Sequence, residues 1–426
     1  MSPLWLHVKS SVARWGVVPL GLLGVAILFG RSRYWIGIWP EAGAAAQLSA
    51  FFLSIFAAGV TAWVAATIDV RGMYEQAASA AIRPLTIELT RFTAALLWLL
   101  VPYLAVATAA FVATAAGSFP PGLGSFFLYI LLGVVTIVFA AAWGWLVGRL
   151  LAPLIAAVCA ALSWFIAVSL LGDSTDATVM SGPPWFEVSL GPIGVRLAAV
   201  LLLAVAVCAL PWRAGRPARF RQRALLALVA LAGVVAVHVS TTVLVHRSPV
   251  AKPVCVQGEI EYCLWPEHEK YVPMVEAVDR RVTALPVRLP LPDRVVDYSL
   301  SGSQKWTDLY SSVQLPGTFA PEFDISEGSE WALARGVASA IVSAVFAECD
   351  PDAKQDPEYR SDQLHAWLEW RLVGGGTPDY RTDAPDYLRK AWSAGRQQAA
   401  EESDQDQGRW ATTLIAETKE RYCRAA

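Results

Sequence analysis

Three small sets of residues in this 426-residue chain have the types and spacing to hold a metal or move a proton. Glu267, His268 and Glu269 are consecutive, and His365 and Glu369 stand one helical turn apart. Imidazole nitrogens and carboxylate oxygens are donors that zinc takes. His238 lies in the middle of an apolar run, where an ionisable group is a functional candidate by default. Each set has an ordinary alternative. Acidic residues favour a helix N-terminus. A His–Glu pair at i, i+4 is a common contact on a helix face. A neutral imidazole in a membrane can hydrogen-bond a neighbouring helix or the backbone.

Stronger catalytic signatures are missing from the sequence. There is no HExxH, no GxSxG and no GxxxxGK[S/T], and SGSQKW at 301–306 lacks the spacing to wrap phosphates. The chain is therefore not expected to be an enzyme or to carry a cofactor. Any ATP hydrolysis linked to it would take place on a partner.

The elements that would position these residues divide into two kinds. Overall, 55% of the residues are hydrophobic and 16% charged. The mean hydropathy is +0.44, which belongs to the membrane class. The net charge of −2 hides a split. Residues 1–245 hold 14 Lys+Arg against 7 Asp+Glu, and residues 246–426 hold 20 against 29. A basic, apolar half is joined to an acidic, polar half, so two domains are expected, 1–245 and 246–426.

Apolar runs lie near 15–30, 47–68, 92–116, 124–147, 151–171, 193–212 and 224–245. Each approaches the ~20 residues needed to cross ~30 Å of hydrocarbon. The fold class expected for this half is all-α and polytopic, with about seven transmembrane helices. With the N-terminus in the cytoplasm, Lys9, Arg14, Arg71, Arg83, Arg91, Arg149 and the arginines of WRAGRPARFRQR all fall inside. Among the loops between spans, only Arg31 and Arg33 then fall outside, which satisfies the positive-inside rule. Beside a membrane span the arginine-rich run is an anchor to the lipid bilayer, and no nucleic-acid partner is expected. An odd number of spans puts residues 246–426 outside the cytoplasm. Arg196, near the outer end of its span, can snorkel towards the surface.

Cysteine usage agrees with that placement. Cys159 and Cys208 fall within apolar runs, while Cys255, Cys263, Cys349 and Cys423 fall in the acidic half. Four cysteines in an oxidising compartment imply two disulfides, with three possible pairings. The preferred set is Cys255–Cys263 and Cys349–Cys423. No CxxC spacing supports a metal site instead.

One connector is longer than a membrane loop needs to be. IDVRGMYEQAASAAIRPLTIELTR, 68–91, contains a short helical pattern that stops before Pro84. Met73, Ala77, Ala80 and Ala81 share one face, with Glu75, Gln76, Ser79 and Arg83 largely elsewhere around it. A face of small residues flanked by charges suits packing against another protein. A solvated connector is the alternative.

The run from AWVAATIDVRGMYEQAASAAIRP to LLVPYLAVA resembles the second span, coupling helix and third span of ABC transporter permeases, closest to the ABC-type-2, exporter-like superfamily. GWLVGRLLAPLIAA, 144–157, resembles a tight turn between later spans of the same permeases. The resemblance covers about the first half of the chain. It implies that Arg71, Met73, Glu75, Ala77, Ala80 and Arg83 belong to a coupling helix that docks on a separate cytoplasmic ATPase subunit. It also allows a homo- or heterodimer of permeases in a bacterial plasma membrane. One departure is clear: the usual core has six spans with both ends inside, so a seventh would serve to export the acidic domain. The competing reading is a membrane-anchored sensor or accessory protein, whose outer domain could be peptidase-like without catalytic residues.

The acidic domain itself is expected to be mainly helical. Helices are predicted near 267–284, after Ser329, after Ser361 and in two C-terminal segments, with an extended, proline-broken stretch at 284–300. Trp265 and Pro266 are expected to fix the entry of the first helix.

Overall fold

The computed structural model describes residues 3–30, 32–70, 83–117, 119–172, 176, 179–210, 217–301, 321–325, 328–349, 359–378 and 385–423. It divides into two compact units, Met1–His246 and Arg247–Ala426.

The first unit is built from helices. They are α1 (Pro3–Ser10), α2 (Val17–Phe29), the short α3 (Ser32–Trp35), α4 (Trp39–Val70), α5 (Pro84–Ala115), α6 (Leu123–Leu150), α7 (Pro153–Leu171), α8 (Leu190–Cys208) and α9 (Pro217–Ser240). Among the described residues, six segments are long and apolar enough to cross a bilayer: Val12–Phe29, Trp39–Thr67, Pro84–Ala115, Leu123–Leu150, Pro153–Leu171 and Leu190–Cys208. This is the architecture of a multi-pass helical membrane protein. The seventh span expected from the sequence falls on α9, whose described apolar part is Ala224–Ser240.

Small residues let these helices approach closely. α4 packs chiefly on α6 and α7. A methyl group added at Gly144 would overlap the carbonyl of Ala58, and one added at Gly148 would overlap that of Ala62. Gly59 of α4 packs in turn against the Ala157 carbonyl of α7. These contacts form a small-xxx-small seam, the usual way for helices to associate where lipid removes the hydrophobic drive. Hydrogen bonds also join neighbouring helices. Trp164 Nε1 donates to Ser54 Oγ (2.8 Å), and the Tyr103 hydroxyl donates to the Ile130 carbonyl (3.1 Å).

Two strands complete this unit. β1 (Phe186–Val188) pairs antiparallel with β2 (Leu244–His246), so the segment after α9 is held to the loop before α8.

The second unit carries a four-stranded sheet of order β3-β4-β5-β6, made of Val254–Gln257, Glu261–Leu264, Arg294–Asp297 and Glu322–Phe323. β3 and β4 form an antiparallel hairpin with Cys255 opposite Cys263, and these two are disulfide-bonded. β4, β5 and β6 run parallel. A 3-10 turn (Pro266–Tyr271) leads into α10 (Val272–Thr283), with Trp265 fully buried in front of it. α11 (Glu330–Val345), α12 (Arg360–Val373), α13 (Asp386–Glu401) and α14 (Asp404–Tyr422) follow, and a second disulfide joins Cys349 to Cys423. The helices match the expected mainly helical character. The sheet is an addition to it, because strands of two to four residues are too short to show an alternating pattern.

Candidate functional site

The connector of greatest interest in the sequence lies almost wholly outside the described residues. Arg71, Met73, Glu75, Ala77 and Ala80 are all there. Arg83 is described: it is exposed, with extended backbone, immediately before Pro84 opens α5. Proline suits that place because the first helical N–H has no partner to lose.

What the structure does show is how the helices flanking the connector are tied together. Glu88 lies in the second turn of α5. Arg91 follows one turn later, and its Nη1 is 3.2 Å from Glu88 Oε1. Arg149 is in the last turn of α6, where a cation is favoured, and its Nη2 pairs with Glu88 Oε2. Arg91 Nη2 also donates to the Val64 carbonyl of α4 (2.6 Å). One carboxylate and two guanidinium groups therefore join α4, α5 and α6 just where the chain leaves α4 and enters α5.

This knot is dry. The side chains of Glu88, Arg91 and Arg149 are 1%, 9% and 2% exposed, low enough that solvent screens little of their interaction. The fully buried Trp145 ring, one turn before Arg149, has both guanidinium carbons 5.7 Å from its centroid. Phe92 packs edge-on against the same ring at 5.4 Å. Aromatic and ionic contacts thus share one cluster, and removing a single charged member would strand the others in a low-dielectric site. In the sequence these three residues look like ordinary charges at span ends. The usable signal was a Glu–Arg pair at i, i+3 inside an apolar window.

A second polar cluster sits at the other end of the unit. Arg196 of α8 does not snorkel; it is fully buried. Its Nη2 donates to the carbonyls of His238 (3.1 Å) and Thr241, and its Nε donates to Thr241 Oγ1 (3.1 Å). The guanidinium thereby caps the C-terminal end of α9, where carbonyls have no helical partner. Asp176 accepts from the backbone N–H groups of Val243 (2.7 Å) and Leu244 (3.2 Å). Glu41 accepts from Ser181 Oγ (2.7 Å) and Gly182 N (3.1 Å). His238 takes part only through its carbonyl. Its ring is turned towards Phe139, with Nδ1 2.9 Å from the Val234 carbonyl one turn back. That is the ordinary role open to it from the sequence.

The residues that offered a metal site in the second unit are directed elsewhere. Glu267 pairs with Arg247 (2.6 Å), and His268 Nδ1 lies 2.5 Å from Asp297 Oδ2. Asp297 ends β5 at the carboxyl edge of the parallel strands and is fully buried. Burial raises its pKa, although the neighbouring His268 works the other way. Glu369 is held between Arg335 (3.4 Å) and Arg396 (3.1 Å). His365 Nε2 faces Ser339 Oγ (3.1 Å) and the Arg335 carbonyl (3.2 Å). His365 and Glu369 share a helix face, and both meet Arg335, His365 at its carbonyl and Glu369 at its guanidinium. The geometric grouping of Cys255, Glu261 and Cys263 offers no thiolate, since both sulfurs are in the disulfide.

No protein-family model, curated protein or solved structure matches the chain.

Proposed function

We propose that this protein is the membrane-spanning subunit of an ABC-type transporter, exporter-like in class, driven by ATP hydrolysis on a separate cytoplasmic subunit. The observation that carries the proposal is the Glu88–Arg91–Arg149 knot. It binds the helices on both sides of the 71–83 connector to α6. A partner that pushed on the connector would move three spans together, as an alternating-access cycle requires. The resemblance of the connector and its flanking spans to the ABC-type-2 permeases points the same way.

In this reading the N-terminus and the 71–83 connector face the cytoplasm of a bacterial cell. α9, extended by its arginine-rich start, crosses as a seventh helix, and the disulfide-bonded second unit lies outside. Two permease chains would complete the pathway.

Purification of the tagged full-length protein tests the proposal. An ATPase should come with the wild type and be lost from Ala77→Glu/Ala80→Glu, with insertion and abundance unchanged. Purification without an ATPase, or one retained equally by the double variant, would contradict the coupling role. The second unit would then be cargo for a membrane-anchored sensor.

A further inference from the structure

Ahead of the first span the chain makes an elbow. α1 ends at Ser10, Ser11 Oγ accepts from Ala13 N (3.3 Å), and a single 3-10 turn, Val12–Gly16, leads into α2. Arg14 Nη1 reaches back to the Lys9 carbonyl (2.7 Å). Trp98 Nε1 of α5 donates to the Val8 carbonyl (2.8 Å). Contacts on both sides of the bend therefore fix its shape before any ligand arrives.

The exposed side of the elbow pairs cations with aromatic rings. Lys9 Nζ stands 5.1 Å from the Trp5 ring centre, and the Arg14 guanidinium stands 5.0 Å from that of Trp15. Trp5 is 48% exposed and Trp15 74%, with Val18 and Leu22 exposed beyond them along α2. His7 is half-buried, and burial together with the nearby Arg91 charge holds it below its ordinary value. At neutral pH the cations of the elbow are thus Lys9 and Arg14.

Exposed indoles next to a hydrophobic helix belong at the headgroup level of a bilayer. The first span begins at Val12, so the elbow stands where hydrocarbon gives way to headgroups. Each cation is held against an indole at that level, Lys9 by Trp5 and Arg14 by Trp15. We infer that Lys9 and Arg14 bind the headgroup of an anionic phospholipid, with its acyl chains lying along Trp15, Val18 and Leu22. Charge decides the class of lipid: zwitterionic phosphatidylcholine brings its own cation, whereas phosphatidylglycerol carries a net negative charge. Two cations at an anionic surface correspond to an enrichment of up to roughly 30-fold.

Quenching of tryptophan fluorescence by brominated lipids tests this on the full-length protein in mixed-lipid nanodiscs. Subtracting the signal of Trp5→Phe/Trp15→Phe isolates the elbow from the remaining tryptophans. Brominated phosphatidylglycerol should quench the elbow at a several-fold lower mole fraction than brominated phosphatidylcholine. Lys9→Gln/Arg14→Gln should remove that excess and leave phosphatidylcholine quenching unchanged. If phosphatidylcholine quenching is lost too, the elbow has left the bilayer, and Lys9→Arg decides. It should keep the excess, and loss there overturns the site. Equal quenching by the two lipids in the wild type, or an excess that survives Lys9→Gln/Arg14→Gln, also overturns it. Abolition of the excess by millimolar inorganic phosphate would assign the site to a free anion instead.

Discussion

Glu88 and Arg149 lie 61 residues apart in the chain and form a direct ion pair with both side chains buried. Replacing Glu88 by Gln leaves two guanidinium groups in a dry site without their counter-charge. Breaking a buried pair in this way costs about 3–5 kcal/mol. The thermal transition of Glu88→Gln in detergent should fall clearly below that of the wild type. The swap Glu88→Arg/Arg149→Glu should recover part of the loss. A Glu88→Gln protein as stable as the wild type would show that the knot contributes nothing.

The glycine seam makes a steric prediction. Leucine at Gly148 must displace the α4 backbone at Ala62, because no flexible side-chain end stands in the way to yield. Overpacking costs typically ~1–3 kcal/mol, and backbone contact puts this site at the upper end. Gly148→Leu should lower the yield of monodisperse protein, whereas Gly124→Leu, with open space around it, should not.

The disulfides should differ in weight. Cys349–Cys423 closes a separation of 74 residues and Cys255–Cys263 one of 8. In the chain-entropy account these correspond to about 4.5 and about 2.5 kcal/mol. Cys349→Ser should therefore destabilise the second unit more than Cys255→Ser, as measured by urea unfolding of the full-length protein. The reverse order would refute the entropic account for this unit.

His365 links the stability of the second unit to pH. Burial, with help from Arg335 and Arg396, holds its pKa below the usual value, while Glu369 opposes this. The unfolded chain therefore takes up a proton near pH 6.5 that the folded one resists. The contribution is present above that pH and is lost as pH falls below it, by at most ~1.4 kcal/mol per unit. Unfolding at pH 7.5 and 5.5 should show a smaller difference for His365→Gln than for the wild type. An unchanged difference would mean that His365 is not the linked group.

Long-range apolar pattern was legible in the sequence, and local pairing was not. Six of the seven expected runs correspond to helices long enough to cross a bilayer, because a ~20-residue apolar run has few soluble alternatives. The seventh falls on α9, whose described apolar part is Ala224–Ser240. The preferred cysteine pairs are the ones joined, since the Cys255–Cys263 spacing fits a hairpin that places them opposite each other. For Arg196 the sequence left the choice open, because a cation near a span end can either snorkel or cap a neighbouring helix, and only the position of Thr241 decides between these. The knot was missed for the same reason: Glu88 and Arg149 meet only through the packing of α5 and α6, which no local pattern encodes.

The most direct test of the central claim is ATP hydrolysis by the full-length protein, purified with whatever partner accompanies it and placed in nanodiscs. We predict vanadate-sensitive hydrolysis in the wild-type preparation. It should be absent from Ala77→Glu/Ala80→Glu, in which the partner no longer docks. It should persist in Glu88→Gln, where docking is intact and only transmission to α6 is weakened. A wild-type preparation with no such hydrolysis, or an Ala77→Glu/Ala80→Glu preparation with wild-type hydrolysis, would contradict the transporter assignment.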